Sequence, residues 1–332
     1  MSETLSPSFH IALEAATAKM SSVRQEIGHV IFGQEDVVDQ MLTVLLAGGH
    51  LLLVGVPGLA KTRLVSAFSK VMGLDTKRIQ CTPDLMPSDM IGAEILEEVD
   101  YGRRNFRFIQ GPLFCQFLMV DEINRASPRT QSALLQAMEE QHVTVTGREH
   151  ALPTPFHVLA TQNPLELEGT YPLPEAQLDR FLLQIEIDYP DLAAEKKIVE
   201  STLSEEESIP KSVMYANDLR DLQKTVRRMP LNQNAIDSVL SLVRSGRPES
   251  SEIEEVCHYV HWGPGPRASR ALALALRARA LLQGHSEPTL EDLNALVQPV
   301  LRHRMALNYA ARADGIGVDE ILKILTKNIK PF

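Results

Sequence analysis

The residues Gly55-Val56-Pro57-Gly58-Leu59-Ala60-Lys61-Thr62 follow the apolar run Leu51–Val54 and lead into a stretch with helical periodicity. Glycines at a strand-to-helix junction let the backbone turn so that successive N–H groups point inward, and the helix adds the positive end of its dipole. Such a junction suits nucleotide phosphates, with Lys61 reaching the β- and γ-phosphates and the Thr62 hydroxyl ligating Mg²⁺. Arg63 follows directly and is grouped with this loop. Ala60 stands where glycine usually precedes the lysine, and its methyl group is small enough to be tolerated.

A second element ends in acid. Phe117-Leu118-Met119-Val120 runs into Asp121-Glu122, so an apolar strand would deliver two carboxylates at its carboxyl end, where ligands sit in open α/β sheets. Asp121 would hold the Mg²⁺ directly or through water, and Glu122 would polarise an attacking water as general base. Other chemistries lack support: the ten histidines show no HExxH spacing and there is no GxSxG elbow.

The elements that must position these residues are legible as texture. Short apolar runs at Leu51–Val56, Arg78–Cys81, Phe117–Val120, Phe156–Ala160 and Gln184–Ile187 alternate with helical patterns such as Thr62–Met72 and Pro128–Gln141, the latter capped by Ser127. This alternation predicts an α/β fold with a parallel sheet covered on both faces. Glu94–Ile109 and Val143–Leu152 read as hairpins around Asp100-Tyr101-Gly102 and Gly147-Arg148. Ser6-Pro7 opens an amphipathic helix whose apolar positions are Ile11, Ala15, Ala18 and Val23, and Gly33-Gln34 breaks it.

Beyond Tyr189-Pro190 the pattern is helical with almost no strand signal: Ala193–Leu203, Asn217–Arg228, Asn232–Arg244, Ala268–Gln283, Thr289–Val297 and Val318–Ile329. Two domains are expected, residues 1–189 as an α/β nucleotide-binding core and 190–332 as a smaller all-helical lid. A chain of 332 residues agrees with a prior of about 150 residues per domain.

Lys and Arg total 33 against 43 Asp and Glu, a net charge of −10, which counts against a protein devoted to gripping nucleic acid. Cys81, Cys115 and Cys257 offer neither a disulfide framework nor metal spacing, so a reducing, cytoplasmic setting is expected. The start of the chain has no secretory pattern. The apolar stretch Met41–Ala60 is interrupted by Gly48, Gly49, His50 and Pro57, which predicts a helix end, a turn and a buried strand, and no membrane insertion. Glu205-Glu206-Glu207 reads as a solvated loop, and Arg302-His303-Arg304 as a small basic cluster on a helix face.

Taken together, GVPGLAKT, DEINRASPRTQSALLQAMEE and VLATQNPLELEGTYPLPEAQLDRF resemble the MoxR family of AAA+ ATPases. The resemblance is near-continuous from Val30 to Phe181 and continues more weakly through Gly265-Pro266-Arg267. It implies a P-loop AAA+ core, ATP and Mg²⁺ as ligands, and further roles. Asn163 matches the sensor-1 residue that positions water near the γ-phosphate. Arg180 matches the arginine finger that reaches the neighbouring subunit's nucleotide, Arg267 matches sensor 2, and Gly33-Gln34 matches the segment that brackets adenine. The two hairpins match insertions of this branch, and Arg103, Arg104 and Arg107 on the first would face either a central pore or solvent.

The implied protein is a Mg²⁺-dependent ATPase forming a homo-oligomeric ring, expected to be a hexamer, that remodels or matures other proteins. Expected partners carry von Willebrand factor A domains, and metal-centre insertion is one output. Two alternatives stand beside it: a nucleic-acid motor, and a nucleotide-gated assembly switch with slow turnover.

Overall fold

The computed structural model describes residues 7–56, 58–59, 61–99, 103–166, 169–203 and 209–332. Ser6, Pro57, Ala60, the turn Asp100-Tyr101-Gly102 and the run Glu205-Glu206-Glu207 lie outside these residues, as does the Arg103 side chain.

Two helices, α1 (Pro7–Gly28) and α2 (Glu35–Ala47), precede the first strand, β1 (Leu51–Val54). Then come α3 (Lys61–Met72), β2 (Thr76–Gln80), α4 (Pro87–Ile91) and the hairpin β3 (Gly92–Val99) and β4 (Arg103–Gln110). β5 (Phe117–Asp121) and α5 (Pro128–Glu140) are followed by a second hairpin, β6 (His142–Val145) and β7 (Arg148–Ala151). β8 (His157–Gln162), α6 (Glu175–Leu178) and β9 (Leu183–Glu186) complete the strand-rich part. Thereafter the chain forms α7 (Leu192–Leu203), α8 (Ala216–Arg228), α9 (Gln233–Ser245), α10 (Glu254–Tyr259) and β10 (Val260–Trp262). It ends with α11 (Pro266–Gln283), α12 (Leu290–Leu301), β11 (Ala306–Leu307), α13 (Tyr309–Ala313) and α14 (Val318–Lys327).

Five strands build one sheet in the order β2-β5-β8-β1-β9, every neighbouring pair parallel. Its central strands β5, β8 and β1 are buried almost throughout, as expected where helices cover both faces, whereas the edge strands β2 and β9 alternate with polar residues. Leu52, Leu118, Val120 and Ala160 point to a core with α5, whereas Leu51, Leu53, Phe117, Met119 and Leu159 join the core shared with α1, α2, α3 and the C-terminal helices. Alternating side chains on adjacent strands thus divide between two apolar layers. All carboxyl ends of the sheet open on one edge, which carries the loop after Val54, Asp121, Asn163 and Glu186.

The α/β reading holds, with strand limits differing by one or two residues. The opening helix turns a different face inward. Phe9, Leu13, Ala16, Met20, Val23 and Ile27 are buried, while Ile11, Ala15 and Ala18 are exposed. Both sets have helical spacing, and packing against α11, α2, α3 and α8 selects the bulkier stripe. The helical half also contains the two-stranded sheet β10–β11, whose two- and three-residue strands leave no periodic signal. Central to that half is α11, which packs on α2, α12, α9, α1 and α8. Apolar packing therefore runs continuously from residues before β1 to helices beyond residue 190. Among the described residues, no helix is long and apolar enough to cross a membrane.

Candidate functional site

The loop after β1 folds as its residue types require. Gly55 donates its N–H to the Gln162 carbonyl at 3.2 Å, and a Cβ there would meet the Ile187 carbonyl oxygen at 2.9 Å. Gly58 adopts φ +88°, a left-handed conformation that favours glycine. Leu59 is buried and anchors the loop, while Val56 is half-buried against the core. Thr62 and Arg63 are exposed in the first turn of α3. The Lys61 ammonium donates to the Gly55 carbonyl at 2.6 Å. Burial lowers its pKa, and the charges of Asp121, Glu122 and Glu166 oppose that shift. The lysine therefore faces an acidic wall across an open space.

That space is a cavity of about 350 Å³ lined by Gly58, Leu59, Lys61, Thr62, Arg78, Gln80, Asp121, Glu122, Thr161 and Asn163. The structure thus brings together the loop, the two carboxylates and Asn163. Asn163 is buried, and its Oδ1 accepts from the Leu165 N–H at 3.1 Å, fixing the side-chain plane. Glu122 sits at φ 55°, ψ 52°, an unusual conformation for a side-chain-bearing residue and one that tends to occur at functional sites. Its backbone N–H donates to Thr161 Oγ1 at 2.9 Å, and the Thr161 hydroxyl donates to Asp121 Oδ1 at 3.2 Å. One hydroxyl on β8 thus braces both Asp121 at the end of β5 and the backbone of Glu122 just beyond it.

Three further residues hold these acids and were not singled out from the sequence. Arg78 donates to Asp121 Oδ2 at 2.7 Å, Gln80 to Glu122 Oε2 at 2.9 Å, and Arg125 pairs with Glu122 at 3.2 Å and Glu166 at 2.8 Å. The alternation of Arg78 and Gln80 along one strand is a signal that could have found them. Both side chains project from β2 toward the end of β5, where Gln80 pairs in register with Asp121.

Gly33 and Gln34 line a separate cavity of about 310 Å³ with Glu35, Asp36, Val37, Glu186, Ile187 and Asp188. It adjoins the loop through Ile187, whose carbonyl oxygen packs on Gly55. Gln34 Oε1 is buried without a hydrogen-bond partner, an acceptor that an exocyclic amine could satisfy. A Cβ on Gly33 would collide with Ala194 Cβ at 2.4 Å, so α7 closes this wall. Together the two cavities offer a phosphate cradle and an acceptor for a base, which fits a purine nucleotide with its metal. Thr62 and Asp121 both line the cradle, where a hydroxyl and a carboxylate could hold a metal whose remaining ligands come from phosphates.

Arg180 and Arg267 are not among the residues lining either cavity. They meet in a third, of about 250 Å³, with Glu139, Asp179, Arg270 and Arg304. Glu139 bridges them, its Oε2 2.9 Å from Arg180 Nη1 and its Oε1 2.7 Å from Arg267 Nη2. Arg180 also donates to the Leu135 carbonyl at 2.7 Å. Sequence separation hides this grouping, because α5, α11 and the segment after α6 meet there only through tertiary packing.

The basic cluster Arg302-His303-Arg304 is not an open helix face. Arg302 pairs with Glu186 at 2.9 Å and with Asp319. Arg304 is buried, binds Asp179 Oδ1 at 2.6 Å and donates to the Asp179, Phe181, Leu182 and Val300 carbonyls. His303 Nε2 faces the Phe181 carbonyl at 3.0 Å, and burial pushes its pKa well down. On the first hairpin, Arg104 is exposed and Arg107 pairs with Glu97 at 3.3 Å.

Comparison with known proteins agrees with this geometry. The family described as ATPase family associated with various cellular activities (AAA) matches residues 50–183, and the AAA lid domain matches 254–325. Chaperone MoxR1 of Mycobacterium tuberculosis is 40% identical over 92% of this chain and 80% of its own length. Protein YeaC of Bacillus subtilis is 39% identical over 92% of both. A crystal structure from Cytophaga hutchinsonii superposes with a TM-score of 0.88 at 36% identity, covering 96% of this chain and 97% of that one.

Proposed function

Because the chain belongs to the MoxR family of AAA ATPases and hydrolyses ATP, we propose that it works as a ring in which each catalytic site is completed by the next subunit. The observation that carries this reading is that Arg180 and Arg267 lie apart from the cavity that holds Lys61, Asp121 and Glu122. Lys61, Asp121, Glu122 and Asn163 surround one cavity, while Arg180 and Arg267 line another. An ATPase of this kind needs a permanently charged fork where charge builds on the transferring phosphoryl group. Within one subunit Arg180 and Arg267 do not supply it, and a neighbour's pair would.

In this reading Gly55, Val56, Pro57, Gly58, Leu59 and Ala60 cradle the phosphates, Lys61 draws them in, and Gly33 and Gln34 hold the adenine, with Arg63 beside the loop. Glu122 takes the proton from water that Asn163 orients. Thr62 and Asp121 would hold Mg²⁺, which would supply positive charge to the nucleotide's phosphates. Residues 1–189 form the nucleotide-binding core and 190–332 the lid. The ring is a cytoplasmic hexamer, and its output is chaperone-like remodelling or maturation of a protein client, with a von Willebrand factor A domain protein as partner and metal-centre insertion as one output. The net charge of −10 and the internal pairing of Arg302, His303 and Arg304 favour a protein client over nucleic acid.

The test is turnover per subunit measured across protein concentration, together with Arg180→Ala. Wild-type turnover should climb with concentration as subunits assemble, and the variant should bind ATP normally yet lose most hydrolysis. Turnover that stays constant down to the monomer range would sink this reading.

A further inference from the structure

Two guanidinium groups side by side repel one another, and each long side chain gives up rotamer freedom when fixed. Arg180 and Arg267 nonetheless meet in one cavity, the first 28% and the second 54% exposed. What joins them is one carboxylate. Glu139 spends one oxygen on each, at 2.9 and 2.7 Å, so that the pair forms a single two-pronged group. The other acid in the cavity is differently committed, since Asp179 Oδ1 is bound by the buried Arg304 and its Oδ2 stays 4.0 Å from Arg267. Asp179 is thus part of the wall, and Glu139 is the group between the two arginines.

The position of Glu139 adds a second argument. It lies in the last turn of α5, which begins a few residues after the subunit's own Asp121 and Glu122. Gln131 on that helix donates to the Ile123 carbonyl at 3.1 Å and the Tyr171 carbonyl at 2.9 Å, and Ser127 caps it directly after the Asp121–Arg125 segment. At 1.5 Å per residue the span from Ser127 to Glu139 is roughly 18 Å. A rigid helix therefore links the subunit's own carboxylates to the arginines it offers elsewhere.

We propose that Glu139 is a positioning residue that holds Arg180 and Arg267 as one preorganised pair aimed at the adjacent subunit's nucleotide. This rests on the reading that the arginines act between subunits. A misplacement of about 1 Å in such a group costs up to about 100-fold in rate, whereas ATP binding by the subunit's own loop is untouched. Glu139→Gln should therefore lower kcat on the order of 10-fold and leave the KM for ATP unchanged. Glu139→Asp keeps the charge and should retain more activity than Gln.

Mixing separates the possibilities. Glu122→Gln subunits have intact arginines and cannot hydrolyse. Glu139→Gln sites placed beside them should recover turnover toward that of wild-type sites diluted by the same subunits, and Arg180→Ala sites should recover likewise. Recovery by Arg180→Ala without recovery by Glu139→Gln would overturn the positioning role alone. Failure of both to recover would remove the between-subunit reading and this proposal with it. An equal loss in Gln and Asp variants with a lowered melting temperature would assign Glu139 to stability and overturn the proposal as well.

Discussion

A single hydroxyl shows how closely Asp121 and Glu122 are held. Thr161 accepts the Glu122 N–H and donates to Asp121, so Thr161→Val, which keeps the shape, removes both bonds. Leaving that N–H unpaired should cost about 1–3 kcal/mol of stability, visible as a lower urea midpoint, and turnover should fall while nucleotide binding persists. Glu122→Gln should retain ATP binding, measured with a fluorescent analogue, and lose about 100-fold or more in phosphate release. Lys61, Thr62, Asp121 and Glu122 were legible in the sequence because each lies within a contiguous motif. Thr161 was not, because it reaches the acids through the register of β5 and β8, and Arg78 and Gln80 show locally only as alternating polar positions, their partners being set by the register of β2 and β5.

At the scale of elements, two buried histidines tie the sheet to its surroundings. His50 receives the Val158 N–H on Nδ1 at 3.0 Å and donates from Nε2 to the Met138 carbonyl at 3.1 Å. His157 donates from Nδ1 to the Gly49 carbonyl at 2.8 Å and meets Gln223 of α8 at 3.2 Å. Burial drives their pKa values down to about 3 and about 4. The folded protein thus keeps both neutral while the unfolded chain protonates them near pH 6.5, so unfolding takes up protons. Stability should be full above about pH 6.5 and decline as pH falls toward 4, by about 1.4 kcal/mol per pH unit for each histidine. Urea midpoints at several pH values would measure this, and His157→Gln should flatten the slope. Leu276→Ala on α11, at a fully buried site, should cost about 2–5 kcal/mol. The major helices and strands could be read from periodicity, whereas the buried face of α1 could not, since two stripes have helical spacing and only the neighbouring helices distinguish them.

For the whole molecule, the sequence revealed an α/β part followed by helices, and the structure adds that Arg180 and Arg267 line a different cavity from Asp121 and Glu122. Affinity capture with Glu122→Gln should enrich a client over Lys61→Ala, because only the former stays loaded with ATP, and equal recovery with both would argue against an ATP-dependent grip on the client. If each site is completed by the next subunit, as proposed, hydrolysis becomes a counter of interfaces. In an open row of subunits, one terminal cradle faces no neighbouring arginines, so a dimer has half of its sites complete and longer rows approach, without reaching, one per subunit. Closure removes the idle end in a single step. Turnover per subunit, followed as assemblies grow, would thus register the moment a row becomes a circle, with no image of the particle needed.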